Sequence, residues 1–410
     1  MGDNNLKVIM YSHDGFGLGH VRRNLSIARH MVKINPASNV LVLAGTMPPG
    51  TDLPAGVDLI KLPSIMKSGN GVWLPRTLNT NNEKIKAIRS GIIEHIAREF
   101  RPDIFLVDYM PTGVWGELVP TLEYLSSSSC ATHNVLGLRE FLDHPESTRS
   151  QWLRDGTFEA ITKYYSRIFV YGDREIFNTV ENYGLDMFTN NMPVEYCGYV
   201  CSPPVSCKKS DIYRDLGIEM DRKLILVTGG GGKDAFPMMK KSLEAFRELQ
   251  NIRALRGIFV AGPLMSQEDI HALHKTAYGL PVRIINHARN LYDFINAADL
   301  IVSMAGYNTL AEALGSGKKV LAIPRDGPSA EQKMRADTFF TRGYLETIAL
   351  DQASPASMAK MINQMIDRNI ELHARLSVDG LNTVANRLQK LGGYDYADQA
   401  GINMPGISTA

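Results

Sequence analysis

The chain reads as an α/β protein of two parallel-sheet domains, and three observations predict this. Apolar, β-branched runs alternate with helical stretches along its length. That alternation opens twice as strand, glycine-rich loop and helix, first over residues 6–32 and again over 223–249. Between the two halves lies a joint rich in proline, serine and charge, residues 198–221. Such alternation buries a parallel sheet on both faces.

In the first half, residues 6–11 form an apolar strand, SHDGFGLGH the loop, and residues 21–32 a helix. A β-rich run at Asn39–Ala44 gives the second strand. Ile85, Ile88, Ile92 and Ile96 recur at helical spacing over Asn82–Phe100, and Pro102-Asp103 stops that helix. Further strands are expected at 104–107, 131–134 and Arg167–Tyr171. The second half restarts with KLILVT and GGGGK, then a helix to about residue 249. Strands follow at 257–261, 282–286, Leu300–Ser303 and 320–323, with helices at 266–278, Leu291–Ala297 and 308–314. A last helical stretch, 355–391, breaks near Asp379-Gly380. The expected domains are 1–198 and 222–375, joined by 199–221. A helix at 376–391 packs back on the first domain, and the tail 392–410 is expected to lack order.

Composition excludes several function classes. The 410 residues suffice for two or three domains, and 44% hydrophobic with 21% charged residues is ordinary globular usage. A net charge of +1 gives no overall field for nucleic acid or an anionic membrane, so no nucleic-acid partner is expected. No apolar run approaches the ~18–20 residues of a membrane span. The opening residues lack a secretory-signal pattern and the myristoylation hydroxyl. A cytoplasmic location follows, with at most peripheral contact at the inner face of the membrane. Cys130, Cys197, Cys201 and Cys207 lack zinc-ligand spacing and read as reduced structural thiols.

Four stretches carry chemistry. In GFGLGH, the helix start at Gly19-His20 turns unpaired N–H groups and a positive dipole end towards the cleft. Arg22 and Arg23 follow where the dipole disfavours cations; they are either solvated or set to meet an anion. GFGLGH is not G-x-G-x-x-G, and no acid ends the second strand, which disfavours a nicotinamide site. His20 suits a general base, or else a helix-start or packing role; His13 and Asp14 in the same loop are alternatives or orienting groups. Gly229–Gly232 with Lys233 lets backbone approach a phosphate closely, without being a P-loop.

The stretch AADLIVSMAGYNTLAEALGSGKKVLAIP is strand, turn, helix and strand. Gly306 is expected to make the turn, and Asn308 or Thr309 to cap the helix. Glu312 either completes a capping box with Thr309 or accepts both ribose hydroxyls of a nucleotide. Downstream, a Pro324–Pro328 turn precedes Glu331-Gln332 at the next helix start.

The order glycine loop–His, central glycine loop, G-x-x-T-x-x-E and a proline turn with E-Q resembles MurG-type glycosyltransferases of the GT-B fold. MurG is the N-acetylglucosaminyltransferase of peptidoglycan synthesis. HNVLGLRE and the GYNT–E stretch are similar to a group of predicted bacterial relatives. The resemblance implies two Rossmann-like domains facing across a cleft, with a nucleotide-sugar donor held mainly by the second. Gly19, Gly230, Gly231 and Gly232 would approach the pyrophosphate and Thr309 the phosphates. Glu312 would hold the ribose, His287-Ala288 would flank the base, and Gly306 and Asn308 would complete the turn. Gln332 would contact sugar hydroxyls, with Glu331 standing where MurG-like chains often carry glutamine. Tyr109, Thr112, His133 and Arg139 fall on the acceptor side.

The expected reaction moves a hexose or N-acetylhexosamine from a UDP-sugar to an acceptor hydroxyl, with inversion. Cell-envelope, polysaccharide, glycolipid or secondary-metabolite synthesis would use it. No Asp-x-Asp motif sits in a suitable loop, so no metal or other cofactor is expected. The acceptor is unidentified; the loop 64–82, with Trp73 and Leu74, either packs on itself or meets a lipid-linked acceptor. A sugar-nucleotide epimerase of the same fold and a non-catalytic nucleotide-sugar-binding protein are the alternatives.

Overall fold

The computed structural model describes residues 5–13, 18–48, 50–68, 72–127, 130–189, 192–201, 208–252, 254–288, 290–327, 329–368 and 376–394. The first half begins with β1 (Lys7–Ser12), α1 (Gly19–Ile34), β2 (Asn39–Ala44) and β3 (Val57–Lys61). A short antiparallel hairpin of β4 (Ile65–Lys67) and β5 (Trp73–Pro75) follows, then α2 (Asn82–Phe100) and β6 (Ile104–Asp108). The half continues through α3 (Val119–Leu125), β7 (His133–Arg139), α4 (Pro145–Arg154) and α5 (Thr157–Tyr164). It closes with β8 (Arg167–Tyr171), α6 (Thr179–Tyr183) and β9 (Val194–Tyr196). Seven of these nine strands pair in one sheet in the order β3-β2-β1-β6-β7-β8-β9, all parallel.

The second half contains α7 (Lys209–Leu216), β10 (Lys223–Thr228), α8 (Phe236–Leu249), β11 (Leu255–Val260), α9 (Gln267–Thr276) and β12 (Val282–Ile285). Next come α10 (Leu291–Ala297), β13 (Leu300–Ser303), α11 (Tyr307–Gly315), β14 (Lys319–Ala322), α12 (Glu331–Thr341) and β15 (Glu346–Thr347). Its parallel order is β12-β11-β10-β13-β14-β15. The chain then runs through α13 (Pro355–Asp367), against α8, and α14 (Gly380–Leu391), against α1 of the first half.

Strand runs read as continuous apolar stretches, such as the buried LILVT of β10, because helices cover both faces. In each sheet the order reverses between two neighbouring strands, β1/β6 and β10/β13. Crevices at the carboxyl ends of such strands are where open α/β sheets hold ligands.

Two expectations are corrected. The strand expected at 131–134 is β7, which starts at His133 and runs on through Gly137. Gly137 is not a breaker: a Cβ there would come within 2.2 Å of the Tyr171 hydroxyl on β8, so the glycine makes room for that ring. His133, expected on the acceptor side, consequently sits at the amino end of β7, the edge of the sheet away from the cleft, and does not line the cleft. The joint's residues 202–207, including Cys207, and the tail 395–410 lie outside the described residues.

Candidate active site

The carboxyl edges of both sheets face one cleft of about 1050 Å³. That is at the top of the ordinary range of ligand pockets, ~300–1,000 Å³.

On the first half's wall, His20 occupies the opening turn of α1. Its Nδ1 lies 3.0 Å from Oδ2 of Asp108, the residue that ends β6. Arg23 Nη2 also lies 3.1 Å from this nitrogen, but it donates to Asp108 at shorter range; a carboxylate only accepts, so the bond to Asp108 assigns the hydrogen to Nδ1 and the lone pair to Nε2. Arg23, one turn further along α1, donates through Nη2 to both Asp108 oxygens at 2.7 and 2.8 Å. Burial alone would raise the Asp108 carboxyl. Arg23 and then His20 outweigh it and hold the group well below the usual carboxylate range. Burial lowers the His20 imidazole from its ordinary 6.5, with Asp108 pulling upward. His20 is therefore neutral at pH 7, oriented by an ionised carboxylate.

His13 stands edge-on to His20, ring centroids 4.8 Å apart. Burial first, and His20 second, push it well below 6.5, and its buried Nδ1 has no hydrogen-bond partner among the described residues. Asp108 thus distinguishes the two histidines. Asp14 lies outside the described residues, as do Gly15 and Gly17. The two arginines of α1 divide: Arg23 is a buried ion-pair partner, while Arg22 lines the cleft. Burial lowers Arg22, and the charge of Glu312 from the second half raises it.

The second half's wall is built around the start of α11, with two departures from expectation. The sharp turn is made by Ala305, at φ +60, whereas Gly306 is extended at φ −66. Gly306 is the residue preceding the helix, and no side chain caps it. Asn308 and Thr309 lie inside the first turn, so neither caps and no capping box forms with Glu312. Gly306 lines the cleft, and a Cβ on it would meet nothing within 4 Å. The first turn of α11 is wedged between the two glycine loops. Asn308 Nδ2 donates to the Gly19 carbonyl at 3.4 Å, and a Cβ on Gly230 would lie 3.8 Å from Thr309 Oγ1.

The second loop needs its glycines. Gly232 has φ +92, and a Cβ there would fall 2.2 Å from the Ala261 carbonyl. The Gly230 N–H donates to Thr228 Oγ1 at 3.2 Å. Gly231, His287, Ala288 and Glu312 also line the cleft.

Glu331 and Gln332 line it from α12. Glu331 accepts from Arg139 at 2.6 Å and from Arg335 at 2.8 Å. Burial alone would raise its carboxyl, but Arg139 and then Arg335 bring it down to about 2. It is an ion-pair group at the place where MurG-like chains often carry glutamine. Gln332 Oε1 accepts from the Arg325 N–H at 3.2 Å.

Tyr109, at φ +77, Thr112 and Arg139, expected on the acceptor side, line the cleft from the first half. Burial pushes the Tyr109 phenol up to about 12, so it keeps its proton. Trp73, Trp115 and Trp152, all three tryptophans of the chain, line the same cleft. The 64–82 loop forms the β4–β5 hairpin: Ile65 is buried, and Trp73 stands edge-on to His13 at 5.5 Å.

Sequence reasoning missed Asp108, having ended its strand at Val107. The available signal was an acid closing a buried strand beside the one that leads to His20. It also missed Glu140 and Arg335, whose pairing joins residues 195 apart. Among the described residues no group of three or more His, Cys, Asp and Glu could hold a metal ion, and no helix is long and apolar enough to cross a membrane.

Residues 224–386 match the glycosyltransferase family 28 C-terminal domain. An uncharacterized glycosyltransferase of Methanosarcina acetivorans is 22% identical over 394 residues, covering 92% of this chain and 96% of that one. The UDP-N-acetylglucosamine–N-acetylmuramyl-(pentapeptide) pyrophosphoryl-undecaprenol N-acetylglucosamine transferase of Alkaliphilus oremlandii is 22% identical over 390 residues, covering 93% and 96%. The crystal structure of Acinetobacter baumannii MurG superposes with a TM-score of 0.57 at 14% identity, over 94% of this chain and 99% of that chain. The second half carries the glycosyltransferase family 28 domain, and with its two sheets facing one cleft the chain is a glycosyltransferase of the GT-B fold, similar over most of its length to MurG.

Proposed function

We propose that the enzyme transfers a sugar from a nucleoside diphosphate donor, UDP-linked, to an acceptor hydroxyl, with inversion and without a metal. The observation that carries this reading is the pairing of His20 with Asp108 across the cleft from the start of α11. The acceptor hydroxyl gives its proton to His20 Nε2 as its oxygen attacks the anomeric carbon. The bond from that carbon to the diphosphate oxygen breaks, and the nucleoside diphosphate leaves. A single displacement of this kind inverts the anomeric centre. The charge that develops on the leaving group meets the N–H groups of α11's first turn and the Arg22 cation, which together serve in place of a metal ion. Glu312, inside α11, accepts from the ribose hydroxyls.

Donor binding is testable without knowing the acceptor, because every tryptophan lines the cleft. UDP and UDP-N-acetylglucosamine are expected to change the intrinsic fluorescence saturably. Glu312→Ala should weaken both by about tenfold, the loss of ~1.4 kcal/mol from a charge-assisted pair, with little change in melting temperature. Equal binding by the variant would remove Glu312 from the donor site. Product NMR with candidate acceptors tests transfer; release of an epimerised sugar with no acceptor present would overturn it.

For the acceptor we favour a lipid-linked molecule. Met66, Val72 and Leu74 are exposed on and beside the hairpin that carries Trp73. The enzyme is then expected to sediment with anionic vesicles, and M66E with L74E to stay in solution; no sedimentation of the unaltered chain would leave a water-soluble acceptor.

A further inference from the structure

Ala305 is buried and held at φ +60, a conformation that L-residues adopt only where their surroundings enforce it. The enforcing contact is identifiable. Arg335, on α12, is fully buried, and its Nη1 donates to the Ala305 carbonyl at 2.9 Å. Its other nitrogens are committed as well: Nε donates to Glu140 Oε1 at 2.9 Å and Nη2 to Glu331 Oε1 at 2.8 Å. Glu140 follows the end of β7 in the first half, and Glu331 is held in turn by Arg139 from that same strand. The planar guanidinium therefore fixes three segments at once: the turn before α11, the start of α12 and the end of β7. Nearby, the Ala330 N–H donates to Asp143 Oδ1 at 2.8 Å, which docks the start of α12 on the loop after β7.

We infer that Arg335 is a positioning residue for the donor site: it locks the Ala305 turn so that the first turn of α11 faces the cleft. Arg335 does not line the cleft and touches no substrate in this scheme. A turn relaxed to negative φ would re-aim Asn308, Thr309 and Glu312, which follow it within seven residues. The same clasp ties the donor helix to the half that carries His20, so the two walls are set relative to each other by Glu140 and Arg139. This inference rests on the reading of α11 as the donor helix.

The test is a charge-balanced comparison read by UDP binding. E140Q/R335M removes one buried carboxylate and one guanidinium together and leaves Glu331 paired with Arg139. Relative to E140Q alone it is expected to weaken UDP about tenfold. Adding A305G, which reaches φ +60 without a Cβ, is expected to recover at least about a third of that affinity. A merely structural role for Arg335 predicts no recovery, since glycine at 305 restores no charge pair. Circular dichroism and melting temperature report folding, and R335K with and without A305G carries the same comparison if E140Q/R335M does not fold. UDP affinity equal to that of E140Q, or a loss that A305G leaves untouched, overturns the assignment alone. A wild-type chain that binds none of UDP, dTDP and GDP at millimolar concentration overturns the donor-site reading and this inference with it.

Discussion

Replacing His20 with alanine is expected to lower kcat by about 10²–10⁴-fold, the usual contribution of a positioned general base. Among the described residues His20 is the one cleft histidine bonded to a carboxylate, and Asp108 orients its ring. The pH profile makes the assignment specific. Burial lowers the His20 imidazole from 6.5, and a base acts only when unprotonated. Activity is therefore full at pH 7 and falls as pH drops through a midpoint below 6.5. Asp108 opposes the burial effect, so Asp108→Asn should move that midpoint to still lower pH while reducing kcat through loss of the fixed tautomer. His20→Ala should abolish the acid limb altogether. A variant with more than about a tenth of wild-type kcat, or an unchanged acid limb, would assign the base elsewhere, with His13 next.

The largest stability effect is expected inside the first half. Arg89 of α2 and Glu117 are both fully buried and paired at 2.5 Å and 2.7 Å. Glu117 also accepts from the Tyr11 hydroxyl at 2.5 Å, and Arg89 donates to the Pro63 carbonyl at 2.7 Å. Arg89→Met leaves a carboxylate with no countercharge inside the first half, a loss of about 3–5 kcal/mol. For a domain of this size each kcal/mol shifts the melting temperature by roughly 2–4 °C. Calorimetry should show the first half melting some 10 °C lower. Glu117→Leu combined with Arg89→Met should recover much of that loss, because an apolar pair of similar volume avoids the desolvation of two charges. A single variant that melts like the wild type would mean that water reaches Glu117.

The parts of this enzyme written in local pattern were readable. The runs Asn39–Ala44, Lys223–Thr228 and Leu300–Ser303 are strands over the residues expected, because continuous apolar β-branched stretches leave little choice of boundary. The helix Asn82–Phe100 likewise matches its isoleucine spacing, and Asn81 caps it. The cleft-facing residues around both glycine loops came from motif order, and all of those described except His133 do line the cleft. Pairings between distant residues were not readable. Asp108 finds His20 from 88 residues away, and Glu140 finds Arg335 from 195 away. No local pattern announces such a partner. Nor does sequence reveal that an alanine rather than the neighbouring glycine takes the left-handed turn. Propensity favours Gly306, and the carbonyl bond to Arg335 reverses the choice.

The last described helix has a consequence for how the polypeptide can be divided. α14 follows the second half in the chain yet lies on α1, with Gln389 bonded to Asn35 and Ser38 and Arg387 paired with Glu195. Val384, Ala385 and Leu388 share one apolar cluster with Leu25, Ala28 and Met31. A gene cut at the joint would separate α1 from its cover and leave each fragment with an apolar face that only the other can bury. The two fragments should then be obtainable only when made together. The helix that carries His20 is in this sense completed only after the second half has been made, so a ribosome-bound chain would hold that half's sheet before α1 had its cover.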